Sequence, residues 1–219
     1  MTESLVRAFP VALHDDVTAV LGIMPSVRFP PINPFVVAVD GESITIPARI
    51  YNAEPAPGDE SRLTATQLKV LDCIYSRHGD GLIRQRRIAR VARSADTWVA
   101  PFVVELVGEY VVEIIREIAP ALSDLTVPRS AQFTVYGKFV AENPRFFSRV
   151  QRRVISYWSC YYREQYPQYW SYPGAQLIQA LRTAGNSFSD SALPELGPKN
   201  RESSGYPGNE MLSFSPTGR

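Results

Sequence analysis

The sequence predicts a mainly α-helical fold, a bundle of helical hairpins with one small β-hairpin near the N-terminus. Between residues 64 and 184, apolar residues recur every three or four positions, the spacing that buries one face of a helix. Residues 35–51 depart from this pattern, because Val and Ile flank a turn sequence there. In the last part of the chain, 185–219, Ser, Pro, Gly and Asn dominate. The sequence therefore predicts one domain over 1–184, followed by a disordered tail.

The first third of the domain is predicted to hold a helix, a connector and the β-hairpin. Residues 5–22 carry apolar side chains at helical spacing, and Pro10 either starts that helix or kinks it. Prolines are frequent over 25–34, which predicts an irregular connector. The dipeptide Asp40-Gly41 is a strong turn signal between two short strands. Pro47 cannot donate a ladder hydrogen bond, so the second strand is predicted to lie at an edge or to end early.

Capping signals and apolar spacing predict the helices that follow the hairpin. Thr64 and Gln67 form a capping box at the start of one helix. Asp96 is a candidate N-cap for a long helix, and the pair Asn143-Pro144 begins another. The predicted helices cover 64 to about 78, 83–93, 98–118, 130–142, 144–165 and 173–184.

Composition is that of an ordinary globular protein and argues against several classes of function. The chain has 219 residues, of which 45% are hydrophobic and 21% are charged. A formal net charge of +1 argues against attraction of the whole molecule to nucleic acid or to a membrane surface. Two cysteines cannot form a dense disulfide framework, and we expect no signal peptide before the first helix. The most apolar run, 98–118, carries five charges, so we expect a cytoplasmic protein without a membrane-spanning segment.

A segment rich in tyrosine and tryptophan is the most informative feature for function. Its rings are Tyr157, Trp158, Tyr161, Tyr162, Tyr166, Tyr169, Trp170 and Tyr172. Helical spacing predicts that the first three face the core, whereas the later rings are freer to contact a partner. Tyrosine, tryptophan and arginine are enriched where proteins bind one another. We therefore predict a partner-binding surface at Arg163, Tyr166, Tyr169 and Trp170, with plain core and loop packing as the alternative.

An arginine-rich helix supports a second hypothesis, nucleic-acid binding. Arg86, Arg90 and Arg93 share the polar face of the predicted helix 83–93, in the manner of a helix that contacts phosphates. Further arginines that could contribute are Arg149, Arg152 and Arg163. The alternative is that the side chains of the 83–93 helix are solvated or pair with nearby glutamates.

Enzymatic chemistry is the third hypothesis, with two weak candidate sites and no predicted metal or cofactor. Glu105, Glu109 and Glu113 fall on one strip of the predicted helix 98–118, where they could act as acid, base or metal ligands. The alternative is a solvent-facing or ion-paired stripe. His78 and Cys160 could pair only if the fold brings them together, and a buried, inert cysteine is favoured. No phosphate-binding glycine loop, paired-cysteine spacing or serine elbow is present.

Two segments resemble known sequences. The run Trp98-Val-Ala-Pro-Phe-Val-Val-Glu-Leu-Val-Gly-Glu-Tyr-Val-Val-Glu and the run Ser156-Tyr-Trp-Ser-Cys-Tyr-Tyr-Arg resemble actinobacterial helical proteins of unknown activity. Successive helices joined by short glycine-containing turns resemble HEAT or armadillo packing over 64–184, although no sequence unit repeats. The resemblance implies a bacterial helical protein and no particular activity. We therefore expect a protein-binding module first, a nucleic-acid-binding protein second and an enzyme third, with the oligomeric state left open.

Overall fold

A computed structural model describes residues 2–26 and 30–198, and it is mainly helical with one β-hairpin, as the sequence predicts. The helices are α1 (Thr2–Val6), α2 (His14–Ile23), α3 (Pro57–Glu60), α4 (Ala65–Tyr75), α5 (Gly81–Val91), α6 (Ala100–Val107), α7 (Val112–Ala121), α8 (Ala131–Glu142), α9 (Pro144–Tyr157) and α10 (Pro173–Asn186). Short 3₁₀ turns lie at Val11–Leu13, Thr97–Val99, Ser123–Thr126 and Tyr169–Ser171, and a π turn covers Trp158–Tyr162. None of the helices in the described ranges is long and apolar enough to span a membrane.

Pro10 divides the predicted N-terminal helix. The chain leaves α1 and adopts an extended backbone at Pro10, which immediately precedes the 3₁₀ turn Val11–Leu13 and then α2. Proline lacks an N–H group and cannot continue the hydrogen-bond ladder of a helix, so it starts the second segment. Val17 and Val20 of α2 are fully buried and fix that helix on the core.

The β-hairpin is confirmed, and its turn explains why glycine follows aspartate. Strands β1 (Phe35–Val39) and β2 (Glu42–Ile46) pair antiparallel, with Val39 opposite Glu42 at the turn. Asp40 and Gly41 have φ values of 50° and 81°, the left-handed conformation that a two-residue hairpin turn requires. The second strand ends one residue before Pro47, in agreement with the prediction that this proline shortens it.

The predicted continuous helix over 98–118 is wrong, because the chain breaks between α6 and α7. Helix α6 ends at Val107 and α7 begins at Val112, with Gly108 at the end of the first segment. A Cβ atom at Gly108 would lie 3.2 Å from Val150 Cγ1 and 3.3 Å from the Val150 carbonyl oxygen, so α9 crosses closely at this point. The break turns Glu109 into the core and leaves Glu113 exposed, whereas one helix would place both on the same strip.

Helix α6 lies within the core, and α8 packs most extensively on α10. All eight residues of α6 are buried. Gly137 of α8 and Gly185 of α10 stand where the two helices meet, and their missing side chains permit the close approach. Among consecutive helices, α4 and α5 form a compact hairpin through a short turn. The HEAT-like stacking of such hairpins stays a prediction.

The boundary that the sequence predicts at residue 184 is too early. Helix α10 continues to Asn186, and Leu193 lies in the core against Gly185. The Leu193 backbone N–H donates to Asn186 Oδ1 at 2.8 Å, and Arg182 pairs with Glu195 at 2.9 Å. The part of the predicted tail from 187 to 198 therefore packs on the domain, while 199–219 lie outside the described residues.

Candidate binding groove and the predicted site residues

A π turn decides which aromatic side chains of the predicted surface are buried. Helix α9 passes into the π turn Trp158–Tyr162, and Trp158 Nε1 then donates a hydrogen bond to the Tyr166 carbonyl at 2.9 Å. The wider turn rotates the following residues away from the face that α9 presents to the core. Tyr161, predicted to face the core, is therefore 68% exposed, whereas Tyr172, predicted to be freer, is fully buried.

The four predicted partner-binding residues are divided between the core and the surface. Tyr169 is in the core, packed edge-on against Trp158 at a centroid distance of 5.2 Å, and burial raises its pKa to about 12. The Arg163 guanidinium lies 5.0 Å from the centre of the Trp158 ring. The Tyr166 hydroxyl accepts a hydrogen bond from Arg116 at 3.0 Å. Trp170 is 49% exposed, so it is the large anchor that remains available to a partner.

Trp170 borders an open groove of about 1100 Å³ that the sequence did not reveal. We call it the α10 groove, since one face of α10 forms its longest wall. Its apolar lining consists of Leu125, Pro128, Phe133, Trp170, Ala180 and Phe188. Its polar lining consists of Thr126, Gln176, Gln179, Thr183 and Ser187, with Arg129 and Glu195 as the charged side chains.

The length of the α10 groove follows from the helix that forms its wall. The lining positions run from Gln176 to Ser187 at spacings of three and four residues, which places them on a single face of α10. With a rise of 1.5 Å per residue, this face is about 16 Å long. The groove is therefore long enough for roughly three turns of helix or about five residues of extended chain.

Its aromatic side chains are held in place by packing beneath them. Phe188 packs on Phe133 at a centroid distance of 6.0 Å, and a Cβ atom at Gly137 would lie 2.7 Å from Phe188 Cε2. Trp170 packs edge-on against Tyr169 at 4.8 Å, and Gln176 Nε2 donates to the Trp170 carbonyl at 3.3 Å. The buried Tyr169 thus supports the groove from behind even though it cannot contact a partner itself.

One positive charge at the groove has no acidic neighbour within the described part of the chain. Arg129 has a φ of 67° and an exposed side chain, and no carboxylate of the described residues lies within ion-pair distance of it. Glu195, the acidic residue of the lining, is instead paired with Arg182, which holds the pKa of the Glu195 carboxyl below its usual value. The groove therefore presents an apolar surface with a cation that is free to meet a carboxylate.

The arginines of α5 are largely engaged by acidic side chains. Arg87 is buried and pairs with Glu60 at 2.6 Å and with Asp72 at 3.1 Å. Arg86 pairs with Glu54, and Arg90 lies 3.5 Å from Glu60. Arg86, Arg87 and Arg90 thus face three carboxylates that lie outside 98–118. Arg84 of the same helix pairs with Glu109 at 3.3 Å, so the suggested pairing with the glutamates of 98–118 is found at this arginine.

Nucleic-acid binding through α5 accordingly has little geometric support, and Arg93, which is exposed, lies two residues beyond the end of this helix. A phosphate would have to displace the carboxylates that already hold Arg86 and Arg90. Of the other arginines proposed to contribute, Arg149 pairs with Glu105 at 2.8 Å, whereas Arg152 is exposed. The hypothesis stays a prediction with a direct test.

The candidate catalytic residues do not converge on a cleft. Glu105 and Glu109 are buried among arginines, and Glu113 is exposed on a different helix, so the predicted strip of three carboxylates is wrong. His78 packs on the ring of Tyr75 at 6.1 Å, and burial lowers its pKa. Cys160 is exposed, contrary to the favoured expectation that it is buried. Within 2–26 and 30–198, no group of three His, Cys, Asp or Glu side chains is placed to hold a metal ion.

Neither a family model nor a curated protein nor a solved structure matches this chain. The resemblance to actinobacterial helical proteins therefore stays a prediction, and function has to be argued from the groove itself. Sequence reasoning missed this groove because its walls come from four separate stretches, namely 125–129, Phe133, Trp170 and 176–195. The available signal was the row of small and polar residues on the outer face of α10, which a solvated helix also displays.

Proposed function

We propose that this chain is a protein-interaction module whose α10 groove binds a short segment of another protein. The observation that carries the proposal is an apolar groove bordered by exposed Trp170 and Phe188, with the exposed Val127 beside it. Contiguous exposed apolar surface rimmed by polar side chains is characteristic of protein-binding sites. The proposal keeps Trp170 from the predicted surface and replaces the buried Tyr169 with the residues of the groove.

The lining indicates the chemistry of the bound segment. Apolar side chains of the partner would pack between Trp170 and Phe188, where aromatic anchors bury large areas at little entropic cost. An extended segment also brings backbone N–H and C=O groups that need hydrogen-bond partners. Gln179 and Thr183 supply both donors and acceptors along the wall. Arg129 selects a carboxylate, so the expected ligand is an extended apolar peptide of about five residues with an acidic residue.

The size and lining of the groove favour a peptide over a small substrate. Pockets for small ligands are enclosed clefts of about 300–1,000 Å³, whereas the α10 groove is open and measures about 1100 Å³. Its titratable side chains are Arg129 and Glu195, and the carboxylate of Glu195 is held by Arg182. This lining contains no pair of a nucleophile and a base, which suits recognition rather than chemistry.

The test is selection of peptides on the intact chain, followed by matched substitutions. A random nonapeptide library displayed on phage would be enriched against the protein, and the selected peptides titrated by fluorescence anisotropy. We expect apolar peptides with an acidic residue, and Trp170→Ala should weaken their binding by at least tenfold. The control is Tyr161→Ala, which removes an even more exposed ring outside the groove and should leave affinity within twofold. Equal affinities for the wild type and Trp170→Ala would refute the proposal.

A charge reversal tests the role of Arg129. Arg129→Glu should weaken acidic peptides and enrich basic ones in a repeated selection, whereas Arg93→Glu, an exposed arginine outside the groove, should change neither. The nucleic-acid hypothesis makes a different forecast, since Arg86→Ala combined with Arg90→Ala should abolish retention of DNA or RNA at low salt. Salt-sensitive nucleic-acid binding together with no peptide enrichment would favour that hypothesis instead.

A further inference from the structure

We infer that in the free protein the α10 groove is occupied by a segment of the same chain, Glu210-Met211-Leu212-Ser213-Phe214, which competes with the external partner. The inference rests on the proposed function, because the same groove and the same ligand chemistry are involved. The segment has the chemistry expected of the external ligand, since it is an apolar stretch of five residues that includes an acidic one.

The sequence beyond residue 198 carries one segment of the required chemistry. Among 199–219, large apolar side chains are few, and three of them fall within four positions as Met211, Leu212 and Phe214. In an extended backbone Leu212 and Phe214 project to the same side, so both can enter the groove together. Glu210 stands at one end of the segment, where its carboxylate can pair with Arg129.

The described chain ends beside the groove, so the segment is within reach. Glu195 belongs to the groove lining, and the last described residue is Pro198. Glu210 follows Pro198 by twelve positions, with eleven residues between them. Twelve steps of chain span at most about 40 Å when fully extended, and a random coil of that length has a root-mean-square end-to-end distance of about 20 Å. Both values exceed the length of about 16 Å along the wall of α10. The connection therefore imposes no strain on docking.

Attachment to the same chain makes even weak docking effective. A short connection within the same chain gives the segment an effective concentration on the order of 1 mM at the groove. With an intrinsic Kd of about 0.1 mM, the segment would occupy the groove in about nine molecules of ten. The apparent affinity for an external peptide would then fall by about tenfold relative to a chain with a disabled segment.

Nuclear magnetic resonance of the full chain tests occupancy directly. The double variant Leu212→Asp with Phe214→Asp should shift the backbone amide signals of Gln179, Ala180 and Thr183, because the groove loses its occupant. The control Tyr206→Asp places the same charge on another large side chain of the segment 199–219 and should leave those signals unchanged. Unchanged groove signals in the double variant would overturn the inference, as would shifts that disappear on dilution, since these would indicate a second copy of the chain.

Peptide binding separates this inference from the proposed function. Peptides selected on the wild-type chain, and a synthetic peptide of residues 208–216, should bind the double variant about tenfold more tightly than the wild type. The selected peptides could instead bind the wild type and the double variant with equal affinity, and lose binding to Trp170→Ala. That result would support the proposed function and overturn the inference. Groove signals that shift in the double variant, with no external peptide bound by either chain, would support the inference and refute the proposed function.

Discussion

At the residue scale, the most consequential feature is a group of charges buried between α6 and its neighbours. The carboxylates of Glu105 and Glu109 are held by arginines from four parts of the chain. The pairs are Arg49–Glu109, Arg84–Glu109, Arg77–Glu105, Arg149–Glu105 and Arg153–Glu105. Burying these charges is costly, and the mutual attraction and hydrogen bonds offset that cost only while the partners remain together. Loss of one carboxylate would leave buried guanidinium groups without a counter-charge.

Replacement of Glu109 by glutamine is expected to lower the free energy of unfolding by about 3–5 kcal/mol, because Arg84 would stay buried without its carboxylate. The matched control is Glu113→Gln, which changes an exposed glutamate four residues further on and should cost less than about 0.5 kcal/mol. Urea denaturation followed by circular dichroism measures both. A similar loss for the two variants would show that burial of Glu109 does not matter energetically.

Acid stability provides a second prediction at this scale, centred on Glu60. Burial opposes ionisation of Glu60, but hydrogen bonds and attraction from Arg87 prevail and lower the pKa of its carboxyl below 4.5. A carboxyl whose pKa is lower in the folded state than in the unfolded state stabilises the fold fully at pH values above its unfolded-state pKa. This contribution is lost as the pH falls through the folded-state pKa. Glu60→Gln should therefore destabilise the protein at pH 7 and lose this effect towards pH 3.

The measurement is the free energy of unfolding of wild type and Glu60→Gln at several pH values between 7 and 3. Their difference should shrink steadily as the solution is acidified below pH 4.5. Glu164→Gln, at an exposed glutamate, serves as the control and should differ little from wild type at every pH. A constant difference for Glu60→Gln across the range would contradict the assignment.

At the element scale, glycines set how closely α8 and α10 approach. A Cβ atom at Gly137 would lie 2.8 Å from the Ala184 carbonyl oxygen, so any side chain there must push the helices apart. The backbone of α10 cannot yield as a flexible side chain would. Because Phe188 packs over the same glycine, separation of these helices would also disturb the α10 groove.

Gly137→Ala is expected to destabilise the protein by about 1–3 kcal/mol, although alanine is the better helix former. Gly22→Ala is the matched control, since a Cβ atom at this helical glycine would meet no neighbouring atom of the described residues within 4 Å. There the change should stabilise the fold by up to about 1 kcal/mol through propensity alone. The thermal unfolding of Gly137→Ala and Gly22→Ala measures both effects. If both substitutions raise the unfolding temperature, α8 and α10 can separate without cost.

At the scale of the whole molecule, the domain includes residues beyond the last helix. Leu193 packs against Gly185, and Glu195 forms an ion pair with Arg182 of α10. Truncation after Ala184 removes these contacts and the end of α10, whereas truncation after Pro198 keeps them. The domain predicted from the sequence to end at residue 184 is therefore extended to include this stretch.

Chains ending at Ala184 and at Pro198 are expected to differ in stability by at least about 2 kcal/mol, the contribution of one buried leucine. Guanidinium denaturation of the two truncated chains and the full chain measures this difference. The intact domain should persist in the chain ending at Pro198. Equal stability of the two truncated chains would return the domain boundary to residue 184.

The helical fold and the β-hairpin could be predicted from the sequence, because those elements depend on interactions between residues close together in the chain. The Asp40-Gly41 turn, the capping box at Thr64 and the proline at Pro10 each restrict the backbone of a few neighbouring residues. The spacing of apolar residues identified the buried face of a helix without knowledge of the neighbouring elements, because a helix buries its apolar face whichever elements form the core.

The position of the candidate site depends instead on contacts between residues that are far apart in the chain. The break after Gly108 and the π turn after Tyr157 reverse the facing of particular side chains, so Glu109 and Tyr172 are buried while Tyr161 is exposed. The break lies where α9 passes close to Gly108. The π turn lies where Trp158 donates a hydrogen bond to the Tyr166 carbonyl, so that the aromatic segment folds back on itself. The α10 groove is likewise a space between elements distant in sequence. Such features depend on how elements pack together, which local patterns in a single sequence do not encode.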